Sequence, residues 1–274
     1  MDQYLQKLLV DLLRLALWLL ILAAIFVPLE RLFALHRQRI FRRQVGVDLG
    51  YFFLNGLLPG LVLSGPLAMV AWATQSLLPG GVHATVAAWP LWLRVLAAML
   101  VGEIGYYWGH RWAHKIPFFW RFHAIHHSAG EVDFLTNTRA HPVDLVFTRM
   151  CSLVPLFALG LVNPLRPTDG IIPLLVLLVG VMWGFFIHAN LRWRFGPLEW
   201  LITTPAFHHW HHTLSAPRDR NYASMLPWLD RIFASHYLPK GQWPADYGNP
   251  FKTADSLGGQ LLQPFEEAPP ATPV

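Results

Sequence analysis

The chain has 274 residues, of which 54% are hydrophobic and 14% charged, and its mean hydropathy is +0.36. Soluble domains carry about 25% charged residues, so this composition excludes an ordinary soluble protein and predicts a membrane protein. The net charge is +5, but the basic residues lie beside apolar runs, which favours a membrane surface over nucleic acid. The single cysteine, Cys151, excludes a disulfide framework or a cysteine-based zinc site within the chain.

The first half of the chain contains three apolar runs. Residues 8–29 match the length of about 20 residues that crosses a bilayer, and they lack a signal-cleavage pattern, so a retained anchor is predicted. Residues 47–75 are interrupted by Pro59 and Pro66, which fits either one kinked span or a re-entrant pair. Residues 88–107 lead directly into a histidine-rich stretch.

Two further apolar runs follow, at 143–162 and 171–188. The turn-rich sequence "NPLRPTDG" joins them and predicts a helical hairpin. The predicted fold is therefore all-α and integral to the membrane, with about four to five transmembrane helices.

Lysine and arginine placement predicts the orientation of these spans. Four arginines lie in "HRQRIFRRQ" (36–44), directly after the first span, and loops rich in Lys and Arg are cytoplasmic. Counting five spans onward places 108–142 and 189–274 on the same side, where further basic residues accumulate. Both histidine-rich stretches are thus expected on the cytoplasmic face.

Those stretches are "HRWAHKIPFFWRFHAIHHS" (110–128) and "FHHWHH" (207–212). In the first, a histidine pair four residues apart precedes three histidines spaced i, i+3, i+4, and the second stretch repeats that spacing. Such spacings place imidazoles on one helix face. The histidines are His110, His114, His123, His126, His127, His208, His211 and His212.

Eight imidazoles exceed what one tetrahedral zinc accepts and suit two metal ions. Zinc, copper, iron and nickel all accept imidazole, so ligand type does not choose among them. A pH-sensitive histidine cluster is the alternative. Because protonated neighbours repel one another, a bound cation explains the crowding more simply.

Three longer blocks carry a family resemblance: "EIGYYWGHRWAHKIPFFWRFHAIHHS", "TPAFHHWHH" and "DRNYASMLPWLDRIFAS". Together they resemble the fatty acid hydroxylase/sterol desaturase superfamily of integral-membrane di-iron oxidases, over residues 95–250. This resemblance implies a cytosolic helical cap that holds a dimetal site. It also implies two iron ions, with zinc as a substitute in purified protein, and O2 as co-substrate.

The resemblance also assigns residues and boundaries. It implies that the eight spaced histidines and His188 are metal ligands, and no residue beyond the ligands is expected to be catalytic. His141 and Asn190 are candidates for ligands or for residues that orient ligands. Glu103 is a third such candidate, with a partnership to Arg94 or a tyrosine as the alternative. The implied organisation is an anchor region at 1–90, a hydroxylase-like catalytic domain at 91–250 and a disordered tail at 251–274.

The implied activity is O2-dependent hydroxylation, or else desaturation, of a lipid such as a fatty acyl, sterol or carotenoid chain. The sequence has no Rossmann glycine pattern, haem motif or ferredoxin-type cysteine set, so an external ferredoxin, cytochrome or reductase must supply electrons. One alternative is a non-catalytic membrane protein with a structural di-zinc site. A metal transporter is a second, but it requires polar residues near mid-membrane, and here they concentrate at one face.

Overall fold

A computed structural model describes residues 2–77, 80–162 and 171–266. Within these ranges the regular structure is helical, and strand-like pairing is limited to isolated bridges between Ala34 and Leu191 and between Thr213 and Tyr247. Short 3₁₀ turns cover His126–Ser128, Phe134–Thr138 and Gly196–Trp200. The α-helices are α1 (Gln3–Leu32), α2 (Val45–Val62), α3 (Ser64–Leu77), α4 (Gly80–Ala87), α5 (Leu91–Lys115), α6 (Pro117–His123), α7 (Pro142–Ala158), α8 (Ile171–His188), α9 (Pro205–His211), α10 (Trp228–Ile232) and α11 (Leu257–Glu266).

The all-α class is confirmed, and α1 is the one helix of the described residues that is long and apolar enough to cross a membrane. Only 11% of its most apolar window is buried, as expected for a helix that faces lipid. Two shorter apolar helical stretches cover Val45–Leu58 and Leu178–His188. The total number of spans and the cytosolic cap stay predictions.

The structure alters two of the predicted boundaries. Residues 47–75 form two helices, α2 and α3, which are separated at Leu63. The helix predicted at 88–107 begins after Pro90 and continues unbroken to Lys115, so the apolar run and the first histidine pair belong to one helix. The predicted connection "NPLRPTDG" lies outside the described residues.

Helix α5, which carries that histidine pair, packs closely against α7. Gly105 and Gly109 face Cys151: a Cβ on Gly109 would lie 2.8 Å from the Cys151 Cβ, and one on Gly105 would collide with the Cys151 carbonyl oxygen. The Ser152 hydroxyl also donates to the Gly102 carbonyl at 2.8 Å. Small residues of this kind allow helix backbones to approach each other, and here they fix α5 against the helix that begins at Pro142.

Proline and capping residues determine where the short helices beyond α5 begin. Pro117 occupies the first position of α6, where its missing N–H removes no helical hydrogen bond. Thr204 caps α9, its hydroxyl accepting from the Phe207 N–H at 3.4 Å. Asp230 accepts two backbone N–H bonds of 2.8 Å, from Tyr222 and Ala223, and so holds the preceding loop.

Part of the segment predicted as a disordered tail is helical and packed. The Leu261 carbonyl of α11 accepts a hydrogen bond from His141 Nε2 at 3.1 Å, and the Phe265 ring lies 5.4 Å from that of Phe122. Residues 267–274 lie outside the described residues. The domain boundaries at 90 and 250 stay predictions.

Candidate metal centre

Nine histidines converge in two adjoining groups, and none is more than 8% exposed. In each group the candidate ligand atoms lie within 4.8 Å of one another. The first set comprises His110, His114, His123, His127 and His211. The second set comprises His126, His188, His208 and His212. The structure therefore brings together all nine histidines that the sequence assigned to metal.

The two sets draw on five elements. Helix α5 supplies His110 and His114, the last residue of α6 supplies His123, and the 3₁₀ turn supplies the next pair. The end of α8 supplies His188, and α9 with its C-cap supplies the last three, at 208, 211 and 212.

One helix was expected to run through His123, His126 and His127, but α6 ends at His123 and a 3₁₀ turn follows. The tighter turn sends His126 to the second set and His127 to the first. His211 and His212 diverge in the same way. The ring centroids of His127 and His212 lie only 4.6 Å apart, so the two sets share a border.

In the first set, hydrogen bonds fix four rings through Nδ1. His110 donates to the Tyr222 carbonyl at 2.7 Å and His211 to the Arg220 carbonyl at 2.8 Å. Carboxylates hold the other two rings at 3.0 Å: Asp219 contacts His114 and Asp144 contacts His123. Because a carbonyl oxygen can only accept, the proton sits on Nδ1 and the Nε2 lone pair points into the set.

In the second set, backbone carbonyls orient two of the rings. The Nδ1–H of His126 donates to the Arg139 carbonyl at 2.9 Å, and that of His188 donates to the Gly184 carbonyl at 2.7 Å. This leaves the Nε2 lone pairs of both rings facing the set, which is the tautomer that a metal ligand requires.

The inward-facing Nε2 atoms of both sets lie at positions suited to metal coordination, and several of them have no hydrogen-bond partner in the protein. In the first set, the buried Nε2 atoms of His110, His123, His127 and His211 have no hydrogen-bond partner. In the second set, Nε2 atoms lie 2.9 Å apart between His188 and His208 and 3.2 Å apart between His126 and His188. A tetrahedron of nitrogens around zinc has edges of about 3.3 Å, given its metal–nitrogen distances. His126 and His188 both carry their proton on Nδ1, so their Nε2 lone pairs repel across this spacing, and a cation between them removes the repulsion.

Burial favours the neutral form of the imidazole at His126 and His211. It lowers the pKa of His126 to about 4 and that of His211 to about 3, mainly because the charged form loses its hydration. Charge repulsion from neighbouring histidines adds to the shift at both residues. Since a metal binds the neutral imidazole, His126 and His211 are in the ligand form at neutral pH.

Three residues proposed as ligands or orienting residues have other contacts. His141 caps α7, with its Nδ1 accepting from the Val143 N–H at 3.1 Å. The Glu103 carboxylate accepts from the Met225 N–H at 2.6 Å, so it holds a loop and not an imidazole. The Asn190 side chain bonds both backbone groups of His36, at 3.0 and 2.7 Å.

His209, the remaining histidine of the stretch at 207–212, is fully buried. Its Nε2 donates to the Ala189 carbonyl at 3.1 Å, and its Nδ1 contacts the Tyr247 hydroxyl at 2.7 Å. It therefore braces the segment that follows His188 and belongs to neither set.

Sequence reasoning left the orienting groups unassigned. Asp144 and Asp219 stand out in the sequence only as acidic residues near histidines, and nothing local pairs them with His123 and His114. Asp219 also adopts φ +56°, which is uncommon for a residue other than glycine and turns its carboxylate toward α5. The carbonyls of Arg139, Tyr222 and Arg220 carry no sequence signal, because every residue has one.

The fold and the site together show described residues that are helical, with one long apolar helix and a buried histidine centre able to hold metal. The fatty acid hydroxylase family model matches residues 95–235, and the chain belongs to this family. That range contains all nine histidines of the two sets. The family resemblance of the histidine blocks is thereby confirmed.

Several relatives support the same assignment. Ornithine lipid hydroxylase OlsE of Rhizobium tropici is 32% identical over 203 residues, which cover 74% of this chain and 59% of that protein. Alkylglycerol monooxygenase of Xenopus tropicalis is 32% identical over 178 residues, covering 63% of this chain and 36% of the relative. Methylsterol monooxygenase 2-2 of Arabidopsis thaliana is 26% identical over 153 residues, or 53% of this chain and 54% of the relative. The chain thus spans less than two thirds of these proteins, and no solved structure matches it.

Proposed function

We propose that the protein is a multi-pass membrane oxidoreductase that uses O2 and two iron ions, one in each histidine set, to hydroxylate a lipid chain. The observation that carries this proposal is the pair of buried imidazole sets whose Nε2 atoms converge. Membership in the fatty acid hydroxylase family supports iron over zinc, which the spacing and the ligand type leave equal.

Bound irons would supply the activation of O2: with two electrons and two protons from outside and two electrons from the substrate C–H bond, one oxygen atom would become the C–OH group and the other would become water. The residues of this chain orient the imidazole ligands and exclude water from the centre. Asp219 and Asp144 orient His114 and His123, and carbonyls orient the other fixed rings. The burial of all nine rings keeps bulk water away from the centre.

The electrons come from an external ferredoxin, cytochrome or reductase, since the sequence has no motif for an electron-carrying cofactor. The arginine-rich segment 36–44 follows the apolar helix α1, which supports a cytoplasmic position for the end of α1. Arg42 of this segment contacts Asp133, which lies five residues after the histidine stretch at 110–128. This contact supports a centre on the cytoplasmic face, within reach of a soluble donor.

The substrate we propose is a membrane lipid with a long hydrocarbon chain. Fatty acyl, sterol and carotenoid chains all meet that description. Among the relatives described above, the ornithine lipid hydroxylase covers the largest share of this chain, so ornithine lipid is the first substrate to test. Hydroxylation is preferred over desaturation because three of these relatives are named hydroxylases or monooxygenases.

Lipid profiling by mass spectrometry tests the proposal. Cells that make ornithine lipid and express the chain should accumulate a product heavier by one oxygen atom, and that atom should derive from ¹⁸O2. His126→Ala should abolish the product, whereas His83→Ala, at a histidine outside both sets, should not. A product lighter by two hydrogens would indicate desaturation instead.

Metal analysis of the purified protein separates the enzyme from a structural metal protein. Two irons per chain are expected after iron-replete, reducing expression. Stoichiometric zinc without iron under those conditions, together with unchanged lipids, would replace the oxidase with a non-catalytic di-zinc protein.

A further inference from the structure

Residues 30–48 precede the range that the family model matches, yet their buried side chains contact both segments next to the second set. We propose that this N-terminal segment, through Arg42 and Asp48, positions the second histidine set and so controls one of the two metal positions. The inference rests on the proposed metal function. It assigns Arg42 and Asp48 a role beyond membrane anchoring.

A buried network of ion pairs joins the N-terminal segment to the rest of the protein. Arg42 contacts Asp48 at 2.5 Å and Asp133 at 2.6 Å, and Arg139 contacts the other oxygen of Asp48 at 2.6 Å. None of the four residues is more than 8% exposed. Two positive and two negative side chains balance, so removing one leaves an uncompensated buried charge and disturbs the remaining three.

Arg139 connects this network to a histidine of the second set. Its guanidinium pairs with Asp48, and its backbone carbonyl accepts the Nδ1–H of His126 at 2.9 Å. On either side, the Thr138 hydroxyl donates to the Asp48 carbonyl at 2.8 Å, and Asn55 donates to the Ala140 carbonyl at 2.8 Å. Helix α2 therefore holds residues 138–140, and the Arg139 carbonyl in this segment fixes the ring orientation and tautomer of His126.

The same N-terminal region holds the residues after His188. The Glu30 carboxylate accepts from the Asn190 N–H at 2.9 Å and from the Phe134 N–H at 2.8 Å. The Asn190 side chain in turn bonds the His36 backbone. Two separate contacts thus reach the second set, one at His126 and one just beyond His188.

The four rings of the first set that hydrogen bonds orient have their partners elsewhere. Their orienting partners are Asp144 on α7 and the loop around Asp219 and Tyr222, which Asp230 holds. A disturbance at Asp48 should therefore change the second metal position much more than the first. This selectivity separates a positioning role from a general contribution to folding.

Metal counting on the full-length chain in detergent tests the inference without measuring activity. Asp48→Asn should lower the bound iron(II) from two per chain to about one, because the Arg139 carbonyl no longer holds His126 in place. Asp255→Asn, at an exposed ion pair with Arg43, is the matched control and should keep both metals. A cobalt titration should change from two binding phases to one.

Combined variants identify which metal is lost. Adding His188→Ala to Asp48→Asn should remove little more metal, since both changes act on the second set. Adding His114→Ala should remove the remaining ion from the first set. Equal losses in the two combinations would overturn the inference.

A milder change covers the case in which Asp48→Asn does not fold. Arg42→Lys keeps the charge but loses the guanidinium fork that joins Asp48 to Asp133. It should weaken cobalt binding at the second position by about tenfold and leave the first unchanged. Unchanged binding at both positions, or equal weakening at both, would refute the positioning role. A wild-type chain with fewer than two metals would instead contradict the proposed function, and the inference with it.

Discussion

The two histidine sets contain the same ligand type, but the protein supports them differently. Carboxylates hold two rings of the first set, through Asp219 and Asp144, whereas backbone carbonyls hold the oriented rings of the second, at Arg139 and Gly184. A carboxylate partner makes an imidazole a stronger ligand and adds negative charge near the metal. A carbonyl adds no charge, so the second set depends on the path of the backbone. Two sets with the same type of ligand can therefore differ in how their rings are held.

The largest expected effect comes from removing one ligand of either set. His114→Ala and His188→Ala should each abolish lipid hydroxylation, because the proposed reaction needs both metals. Each variant should still bind metal at the set that stays intact, as measured by elemental analysis. Loss of both metals in each variant would contradict independent sets and indicate one cooperative centre.

The carboxylate support gives the next largest effect. Asp219→Asn keeps the shape, and asparagine tolerates the left-handed backbone at φ +56°, but the charge beside His114 is lost. Metal affinity of the first set should fall about 10- to 100-fold, or about 1.4 to 2.8 kcal/mol. The second set should keep its affinity in a competition titration against a chelator.

Asp246→Asn, whose carboxylate contacts Ser215, is the control for Asp219→Asn and should leave both affinities unchanged. An equal decrease in affinity at the two sets in Asp219→Asn would remove the distinction between carboxylate and carbonyl support.

Acidification should destabilise the metal-free protein through both sets. The pKa of His126 is about 4 in the folded chain and 6.5 when unfolded. Between these values the unfolded chain binds a proton that the folded chain does not, so the free energy of unfolding decreases as pH falls. At pH 5.5 the loss is about 1.4 kcal/mol for each histidine shifted in this way.

Thermal unfolding of the metal-free protein between pH 7.5 and 5.5 measures this effect. The Tm should fall with pH, and His126→Ala should reduce its slope. A Tm that rises on acidification would contradict the neutral state of the buried rings.

The smallest effect on metal affinity is expected from Lys115, the exposed partner of Asp219. Lys115 is 44% exposed and lies 3.4 Å from Asp219, the partner of His114. Exposed ion pairs contribute little, so Lys115→Gln should change first-set metal affinity by no more than about threefold. A change as large as that of Asp219→Asn would mean that Lys115 itself tunes the site.

Eight of the nine ligand candidates were predictable from local spacing, and the family resemblance added His188. An i, i+4 pair such as His110 and His114 shares a helix face wherever that helix lies, and α5 has this geometry. Their division between two sets was not predictable. It depends on α6 ending at His123, where a continuous helix was expected.

The contacts of the supporting residues, unlike the ligand candidates, could not be predicted from the sequence. Glu103, His141 and Asn190 have ligand chemistry, yet each holds backbone groups outside the two sets. Arg42 and Asp48 have no motif around them, yet they reach His126 through Arg139. Residue type indicates what a side chain can bind, and only the packing of distant segments decides what lies within its reach.

The sequence alone predicted the membrane character, the all-α class and eight of the histidines, because apolar run length and helical spacing are properties of neighbouring residues. The family came from the resemblance of three motif blocks. The tertiary structure alone decided how the ligands divide and what orients each of them. It also decided that the N-terminal segment contacts both flanks of the second set. The N-terminal contacts join residues about 90 to 160 positions apart in the chain, such as Asp48 with Arg139 and Glu30 with Asn190, and no local pattern encodes them.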